Sequence, residues 1–328
     1  MGVVLPRTLV TVLPQDPGPQ SDENAVTLSS SSFQLIAALV RRETAMVYEA
    51  GKEYLVEARL QPLATAAGCA DVDAYISRIG TDLTERRKAL DALTINETSW
   101  FRDQTPYQAF TDTMLPQLLA SRATSRRLRI WSAACSSGQE AYSIAMLLDQ
   151  HLPPGWTVEI LATDVSTAML DRVRAGRYSQ VEMNRGLPAA TLVRYFTRTG
   201  SEWEVSADLR RVVRTQHLNL ADAYAFTAIG MYDVVLLRNV LIYFDTATKY
   251  DILRRMRPHV APDGYLLLGS SETTLDMPAD VAALWGREQI GRVQTLRPGS
   301  GVPRPSSPAF PTTALPTSPL ASTTRIGA

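Results

Sequence analysis

Two features of the sequence could together bind a nucleoside: a turn of small residues and an acid that follows it. The apolar run that begins at Leu128 stops at Ala133, and small residues continue to Gly138, where an amphipathic helix is predicted. Such a turn leaves backbone N–H groups and the positive end of a helix dipole open to a ligand. Because Ser136 and Ser137 stand where dinucleotide-binding proteins have glycines, the turn favours a nucleoside without phosphate. Turns of this kind also occur in α/β folds that bind nothing there.

The acid is Asp164, which ends a second apolar run about 25 residues after the turn. In an open nucleotide-binding sheet, an acid at the end of the second strand can accept both hydroxyl protons of a ribose with its two oxygens. The alternative is that Asp164 caps the helix predicted over the segment VSTAMLDRVRAG.

A third candidate segment is NETSWFRD, residues 96–103, which precedes the first apolar run. It combines turn formers, hydrogen-bonding side chains, two adjacent aromatics and Arg102 at a predicted domain junction, where pockets tend to form. The alternative is an ordinary linker that packs Trp100 and Phe101 into the core.

Composition argues against several other classes of function. The chain has 328 residues with 33 Lys and Arg against 33 Asp and Glu, so no excess of charge favours nucleic acid or an anionic membrane. Cys69 and Cys135 are far apart and the three histidines are scattered, so we predict reduced thiols in a cytoplasmic protein and no metal site. Prolines interrupt the apolar N-terminal segment, so we predict neither a signal peptide nor insertion into a membrane.

The periodicity of apolar residues divides the chain into five parts around these candidates. We predict a disordered leader at 1–32, an all-helical domain at 33–95, a linker with active-site residues at 96–110, an α/β domain at 111–297 and a disordered Pro/Ser/Thr-rich tail at 298–328. Within the α/β domain, residues 177–218 interrupt the strand–helix alternation, which predicts a small antiparallel β-subdomain on the ligand side of the sheet. A buried strand over 232–237 then ends at Arg238 and Asn239.

Five segments in this order resemble the chemotaxis receptor methyltransferases, the CheR family. They are LTINETSWFRD, SAACSSGQEAYSIAM, ATDVSTAMLDRVRAGRYS, RNVLIYFD and PDGYLLLGSSE, and the resemblance covers roughly residues 35–297. It implies an α/β fold with a Rossmann-like S-adenosylmethionine-dependent methyltransferase sheet, an inserted small antiparallel β-subdomain and a preceding all-helical domain. The implied activity is transfer of a methyl group from S-adenosylmethionine to glutamate side chains on the cytoplasmic helices of chemoreceptors, with S-adenosylhomocysteine as product.

The resemblance also implies roles for individual residues. It places Arg102 and Tyr243 nearest the transferred methyl group, as the catalytic residues. The implied cofactor-binding residues are Asn96, Thr98, Arg102, Glu140, Asp164, Asn219, Leu220, Arg238 and Asn239. These residue types suit the reaction, because a glutamate carboxylate is already an anion at neutral pH and needs alignment and partial desolvation rather than a base or a metal. An arginine can hold the carboxylate with two hydrogen bonds, and a tyrosine hydroxyl can fix its second oxygen.

Three departures from the family pattern affect how the enzyme would recognise its receptor. Gln139 replaces the first of two adjacent acids, the second predicted helix keeps Arg59 but lacks several of the family's arginines, and the insertion is shorter than in members that bind a C-terminal receptor tether. We therefore predict a monomeric, tether-independent enzyme that meets the methylation helices of a chemoreceptor cytoplasmic domain through Arg59 and arginines of the insertion. Those arginines are Arg194, Arg198, Arg210, Arg211 and Arg214.

Three alternative functions remain open on the sequence. A nucleic-acid methyltransferase of the amino-methylating type would need an Asn/Asp-Pro-Pro-aromatic run where this chain has Arg238-Asn239-Val240-Leu241, and no nucleic-acid partner is expected. The same methyl transfer could act on a receptor of another signalling pathway. The third alternative is a signalling module that keeps the cofactor fold without catalysis.

Overall fold

The computed structural model describes residues 28–299, so the predictions for 1–27 and 300–328 lie outside the described residues. Four helices come first and pack around one small core. They are α1 (Ser30–Thr44), α2 (Glu53–Ala66), α3 (Val72–Ile79) and α4 (Leu83–Leu93). Their buried faces carry residues such as Ile36, Leu60, Tyr75 and Leu93, at the helical spacing that the sequence shows. The helical domain is therefore confirmed as an element of the fold.

The first helix begins at Ser30 rather than at Phe33, so residues 28–32 were wrongly assigned to the leader. The Ser29 hydroxyl accepts the N–H of Ser32 as an N-cap and donates to Asp73 at 2.7 Å. Leu28 is buried with the helical core. Composition misplaced this boundary because serines that cap a helix have the same residue type as serines in a flexible segment.

The predicted linker at 96–110 also ends too late. Helix α5 (Thr105–Ala109) and the π-helical turn Phe110–Met114 lead directly into α6 (Leu115–Ser121). Phe110 and Met114 are buried in the core of the α/β domain. Residues from 105 onward therefore belong to that domain, because their apolar side chains pack on its sheet.

The α/β domain then alternates strands and helices to the end of the described chain. Its first part is β1 (Arg127–Ser132), α7 (Gln139–His151), β2 (Thr157–Asp164), α8 (Thr167–Ala175), β3 (Arg177–Ser179), α9 (Gln180–Met183), α10 (Ala189–Tyr195), β4 (Phe196–Thr199), β5 (Glu202–Val205), α11 (Ala207–Val212) and β6 (Val213–His217). Its second part is β7 (Tyr232–Leu237), α12 (Thr246–Met256), β8 (Val260–Leu268), α13 (Ala279–Ala282), β9 (Trp285–Ile290) and β10 (Val293–Pro298), with 3₁₀ turns at Ala223–Ala228, Leu241–Tyr243 and Arg257–His259.

The large sheet has seven strands in the order β6-β2-β1-β7-β8-β10-β9. Strands β6, β2, β1, β7 and β8 are parallel to one another. At one side of the sheet, β10 pairs antiparallel with both β8 and β9. From β1 the chain builds β2 and β6 on one side and then crosses to β7 on the other side of β1. The strand order therefore reverses at β1, which is the switch point of the sheet. Ligands of open α/β sheets bind outside the carboxyl ends of the strands at such a point.

The small sheet, β3-β5-β4, is antiparallel and confirms the predicted excursion, with Gly200 at a left-handed φ of 63° in the β4–β5 turn. The predicted end of the insertion at residue 218 is wrong, however. Strand β6 pairs in parallel with β2, so it belongs to the large sheet and the insertion ends at Val212. The alternation of exposed and covered residues in β6 resembles a hairpin strand because β6 is an edge strand.

The two domains meet beside the carboxyl ends of the strands. Met46 forms an antiparallel bridge with Phe244, and the Val47 N–H donates to the Tyr243 carbonyl at 3.0 Å. The side-chain amide of Asn219 donates to the Glu43 carbonyl at 2.7 Å. The helical domain therefore covers the edge of the sheet where a ligand is expected. Within residues 28–299, no helix has the length and apolar character needed to cross a bilayer.

Candidate active site

A cavity of about 830 Å³ lies at the switch point, between the strand ends and the helical domain. All ten residues that the family resemblance singles out line it, and they come from segments spread over about 150 positions of the chain. They are Asn96, Thr98, Arg102, Glu140, Asp164, Asn219, Leu220, Arg238, Asn239 and Tyr243. The helical domain contributes Thr44, Met46 and Thr94 to the wall, which the sequence did not predict.

The turn of small residues between β1 and α7 forms one side of the cavity. Ser136 and Gly138 adopt left-handed φ angles of 48° and 96°. A Cβ on Gly138 would lie 2.9 Å from Val173, so the turn packs against α8 at a distance that only glycine permits. The Ser136 hydroxyl donates to the Asn96 carbonyl at 2.8 Å, which ties the turn to the interdomain segment.

Asp164 lies at the end of β2 with 8% of its surface exposed. Its two carboxylate oxygens accept the backbone N–H groups of Ser136 at 2.8 Å and of Ser166 at 2.9 Å. Each oxygen keeps a second lone pair, so the carboxylate can still accept hydroxyl protons from the cavity. Burial raises the pKa of Asp164, while these backbone hydrogen bonds oppose the rise. The capping alternative is wrong, because the Ser166 side chain is the N-cap of α8.

Glu140 occupies the first turn of α7, and its side chain is 12% exposed. The Ser132 hydroxyl donates to one carboxylate oxygen at 2.8 Å, and burial raises the pKa of Glu140 against the opposing charge of Arg238. The neighbouring Gln139 is buried and accepts a hydrogen bond from the Ser137 hydroxyl at 2.8 Å. Of the two positions, Glu140 is therefore the one that lines the cavity.

Arg238 is the most buried charge of the site, with 1% of its side chain exposed. It donates to Glu140 at 3.1 Å and to Asp103 at 2.9 Å, and also to the Arg102 carbonyl at 2.9 Å. Its guanidinium lies 5.6 Å from the ring centroid of Tyr107. Arg238 thus connects the end of β7 to α7 and to the interdomain segment, and most of its hydrogen-bonding capacity is used within the protein.

Arg102 and Tyr243 face the cavity from two different segments. Arg102 donates from one guanidinium nitrogen to the Glu97 carbonyl at 2.9 Å, which leaves further N–H groups for a ligand. Tyr243 ends a 3₁₀ turn after β7, and burial raises the pKa of its hydroxyl. That hydroxyl is therefore protonated at neutral pH and can donate a hydrogen bond.

Asn96 and Asn219 lie at the junction of the two domains, and the side-chain amide of each makes a hydrogen bond within the protein. Asn96 donates to the Thr94 hydroxyl at 2.9 Å, and the Asn219 side-chain oxygen accepts the Ala221 N–H at 2.9 Å. They hold the segments that border the cavity and also line it.

Sequence reasoning missed three residues of this region. Asp103 pairs with Arg238, and Tyr107 lines the cavity with its hydroxyl buried near Arg238 and Ser143. Glu272 binds the backbone of the loop that follows β7. A signal existed for Glu272, because it is a polar residue just after the apolar strand β8, as Asp164 is at the end of β2.

Among residues 28–299, no group of three or more His, Cys, Asp or Glu side chains could hold a metal ion. Cys135 is buried beside the turn, and burial raises the pKa of its thiol well above the ordinary value.

Comparison with known proteins identifies the family. The all-alpha domain of the CheR methyltransferases matches residues 31–94, and their SAM binding domain matches residues 96–288. Chemotaxis protein methyltransferase 1 of Pseudomonas aeruginosa is 39% identical over 262 residues, which cover 77% of this chain and 94% of that protein. The chemotaxis protein methyltransferase of Vibrio parahaemolyticus is 38% identical over 256 residues, covering 76% and 91%. The chain therefore belongs to the CheR family and is an S-adenosylmethionine-dependent chemotaxis protein glutamate methyltransferase.

Proposed function

We propose that this enzyme methyl-esterifies glutamate side chains on the cytoplasmic helices of a chemoreceptor, with Arg102 and Tyr243 as its catalytic residues. The observation that carries the proposal is one cavity that brings these two side chains together with the buried carboxylate of Asp164. Asp164 can accept hydrogen bonds from a ribose, and Arg102 and Tyr243 can donate hydrogen bonds to a carboxylate substrate.

The residues around the cavity fit S-adenosylmethionine. Asp164 has lone pairs free for the two ribose hydroxyls. Glu140 keeps acceptor capacity for the ammonium group at the methionine end, since each of its oxygens accepts one hydrogen bond from residues 28–299 and has a further lone pair. Tyr107 and Arg238 also line the cavity and add polar groups to its wall.

The cofactor supplies an electrophilic methyl group on a sulfonium, and the chain supplies alignment. Arg102 binds the incoming glutamate carboxylate as an anion, and the Tyr243 hydroxyl donates to its second oxygen. No proton has to move, because the carboxylate attacks in the charged form that it has at neutral pH. Met46 and Phe244, which border the cavity at the domain junction, reduce the access of water to the carboxylate.

For the partner, we propose recognition without a C-terminal tether, in a form that differs from the sequence prediction. Arg59 donates to the Tyr48 hydroxyl and to the carbonyls of Leu93 and Thr94, so it supports the interdomain segment and is not a docking residue. The insertion arginines remain candidates. Three of them pair with acids: Arg194 with Asp149, Arg210 with Glu204 and Arg211 with Asp208. Arg214, which lies in β6 and not in the insertion, pairs with Glu159.

The Arg211–Asp208 pair is exposed, and such a pair contributes under about 1 kcal/mol, so an acidic receptor helix can replace the intramolecular acid there at little cost. The tight β4–β5 turn at Gly200 supports tether independence, because it offers a short surface for an added peptide. We also propose that the enzyme is cytoplasmic and that it is a monomer. Sedimentation of the purified protein tests the monomeric state.

The experiment is methylation of one receptor cytoplasmic fragment, with and without its last several residues, at low and high salt. The proposal predicts that trimming changes the rate little and that the rate falls as ionic strength rises. A large loss on trimming, with no dependence on salt, would contradict tether independence. No methylation of any receptor fragment by a protein that binds S-adenosylhomocysteine would contradict the proposed substrate.

A further inference from the structure

One buried carboxylate next to the active site has no role in the reaction described above. Glu272 lies in the loop after β8 and has 4% of its surface exposed. Its Oε2 accepts the N–H groups of Gly269 at 2.6 Å and Asn239 at 2.9 Å. Its Oε1 accepts those of Val240 at 2.8 Å and Leu241 at 2.7 Å. Four backbone N–H groups therefore surround this one carboxylate.

Three of these donors belong to consecutive residues of the loop that leaves β7. Asn239 adopts a left-handed φ of 59°, a conformation that asparagine tolerates better than most residues other than glycine. Consecutive N–H groups that point to one side form a concave site for an anion, and here the anion is the side chain of Glu272. The hydrogen bonds to Glu272 thus hold the loop from Asn239 to Leu241 in this conformation.

Gly269 provides a second, independent observation of the same contact. A Cβ added there would lie 2.8 Å from the Asn239 backbone nitrogen and 2.9 Å from both the Asn239 side-chain amide and Glu272 Oε2. Its φ is not in the left-handed region, so the close approach and not the backbone conformation demands glycine. The loop after β8 therefore fits against the loop after β7 with no space for a side chain at this position.

The loop held in this way leads directly to the proposed catalytic tyrosine. Asn239, Val240 and Tyr243 line the cavity, and Leu241–Tyr243 form one 3₁₀ turn, so a shift of Leu241 would move Tyr243 with it. Glu272 itself does not contribute to the wall of that cavity. Because Glu272 lies outside that wall, its hydrogen bonds act on the site through the loop. Its negative charge also acts on the Tyr243 hydroxyl, whose pKa is raised by burial and further by this charge.

We infer that Glu272 is a positioning residue for methyl transfer, whose carboxylate fixes the loop from Asn239 to Tyr243 so that the tyrosine hydroxyl meets the substrate carboxylate. This inference rests on the role proposed above for Tyr243. It assigns a function to the last acid of the segment PDGYLLLGSSE.

The test is a double-mutant cycle of Glu272→Gln and Tyr243→Phe. The glutamine has the shape of the glutamate but places an NH₂ group against backbone N–H donors, so it opens the loop. Calorimetric titration with S-adenosylhomocysteine counts the folded sites, and turnover is expressed per site at saturating cofactor. This normalisation removes any loss caused only by a smaller folded fraction. Glu288→Gln is the matched control, because Glu288 is a partly exposed carboxylate that pairs with Arg297.

We expect Glu272→Gln to lower turnover per site by about tenfold or more in the wild-type background and by less than about threefold in the Tyr243→Phe background. Glu288→Gln should leave turnover unchanged. Should Glu272→Gln fail to fold, Gly269→Ala disturbs the same contact and should show the same non-additivity.

Two results would overturn the inference, and they can be told apart. If Tyr243→Phe is impaired but Glu272→Gln, or Gly269→Ala in its place, lowers turnover equally in both backgrounds, Glu272 does not act through Tyr243. If Tyr243→Phe alone turns over like wild type, the proposed role of Tyr243 is wrong and the inference fails with it.

Discussion

The substitution Asp164→Ala should weaken cofactor binding more than any other single change at the cavity. In the proposed complex, the carboxylate accepts both ribose hydroxyls while its oxygens also hold the N–H groups of Ser136 and Ser166. The alanine removes the two bonds to the ligand. It also leaves two buried N–H groups without an acceptor, so the turn that borders the cavity loses part of its support.

The expected loss follows from these bonds. Two charge-assisted hydrogen bonds in a buried site contribute about 2–4 kcal/mol together, which is roughly 30- to 1000-fold in affinity. The unsatisfied N–H groups of Ser136 and Ser166 would cost about 1–3 kcal/mol each in the stability of the fold, unless water enters the space left by the side chain. Affinity must therefore be measured well below the unfolding temperature of the variant.

Calorimetric titration with S-adenosylhomocysteine measures this loss, and thermal unfolding of the same samples verifies that the variant is folded. Asp171→Ala is the matched control, because Asp171 is an exposed carboxylate on α8 that pairs with Arg174 at the surface. The control should bind as wild type does. A folded Asp164→Ala variant that binds within threefold of wild type would refute the assignment of Asp164 to the ribose.

The other predictions concern catalysis, stability and pH. Arg102→Lys should lower turnover at saturating cofactor more than it lowers affinity for S-adenosylhomocysteine, because lysine keeps the charge but cannot form two parallel hydrogen bonds; equal turnover on a receptor fragment would exclude the role. Hydrogen bonds from Arg122 lower the pKa of Asp263 to about 2, so its carboxylate stabilises the fold above the ordinary value of 3.8 and this contribution is lost as the pH falls toward 2. Urea unfolding should accordingly give Asp263→Asn a lower free energy of unfolding than wild type at neutral pH. This difference should shrink as the pH falls from 3.8 to about 2, and a difference that does not change with pH would contradict the linkage. Gly186→Ala should lower the thermal unfolding temperature, since Gly186 has a φ of 90° and a Cβ there would collide with the Trp100 carbonyl; an unchanged temperature would show that this contact is not rigid.

Much of the parallel sheet could be predicted because its strands are buried on both faces. The apolar residues of β2 and β7 mark the two strands in the sequence, and their ends place Asp164 and Arg238 at one edge. The family resemblance then supplied the residues of the interdomain segment and the loops, all of which line the cavity. Neither periodicity nor composition would have selected Asn219, and composition indicated Asn96 only as part of the segment NETSWFRD.

The remainder depends on tertiary contacts that leave no local pattern. Arg59 resembles a surface arginine in the sequence, yet it binds backbone carbonyls at the domain junction. The edge position of β6 gave it the polar alternation of a hairpin strand, which misplaced the end of the insertion. Glu272 binds a loop more than 30 residues away in the chain, and only folding brings its four donors together.

The most direct test of the central claim is the chemical nature of the methylated product. The purified enzyme is incubated with tritium-labelled S-adenosylmethionine and a chemoreceptor cytoplasmic fragment, and the labelled fragment is then treated with mild alkali. If the product is a glutamate methyl ester, the alkali releases the label as methanol. Replacing the labelled glutamates of the fragment by glutamine should then abolish labelling. A label that resists alkali, or one that persists after those replacements, would contradict the account.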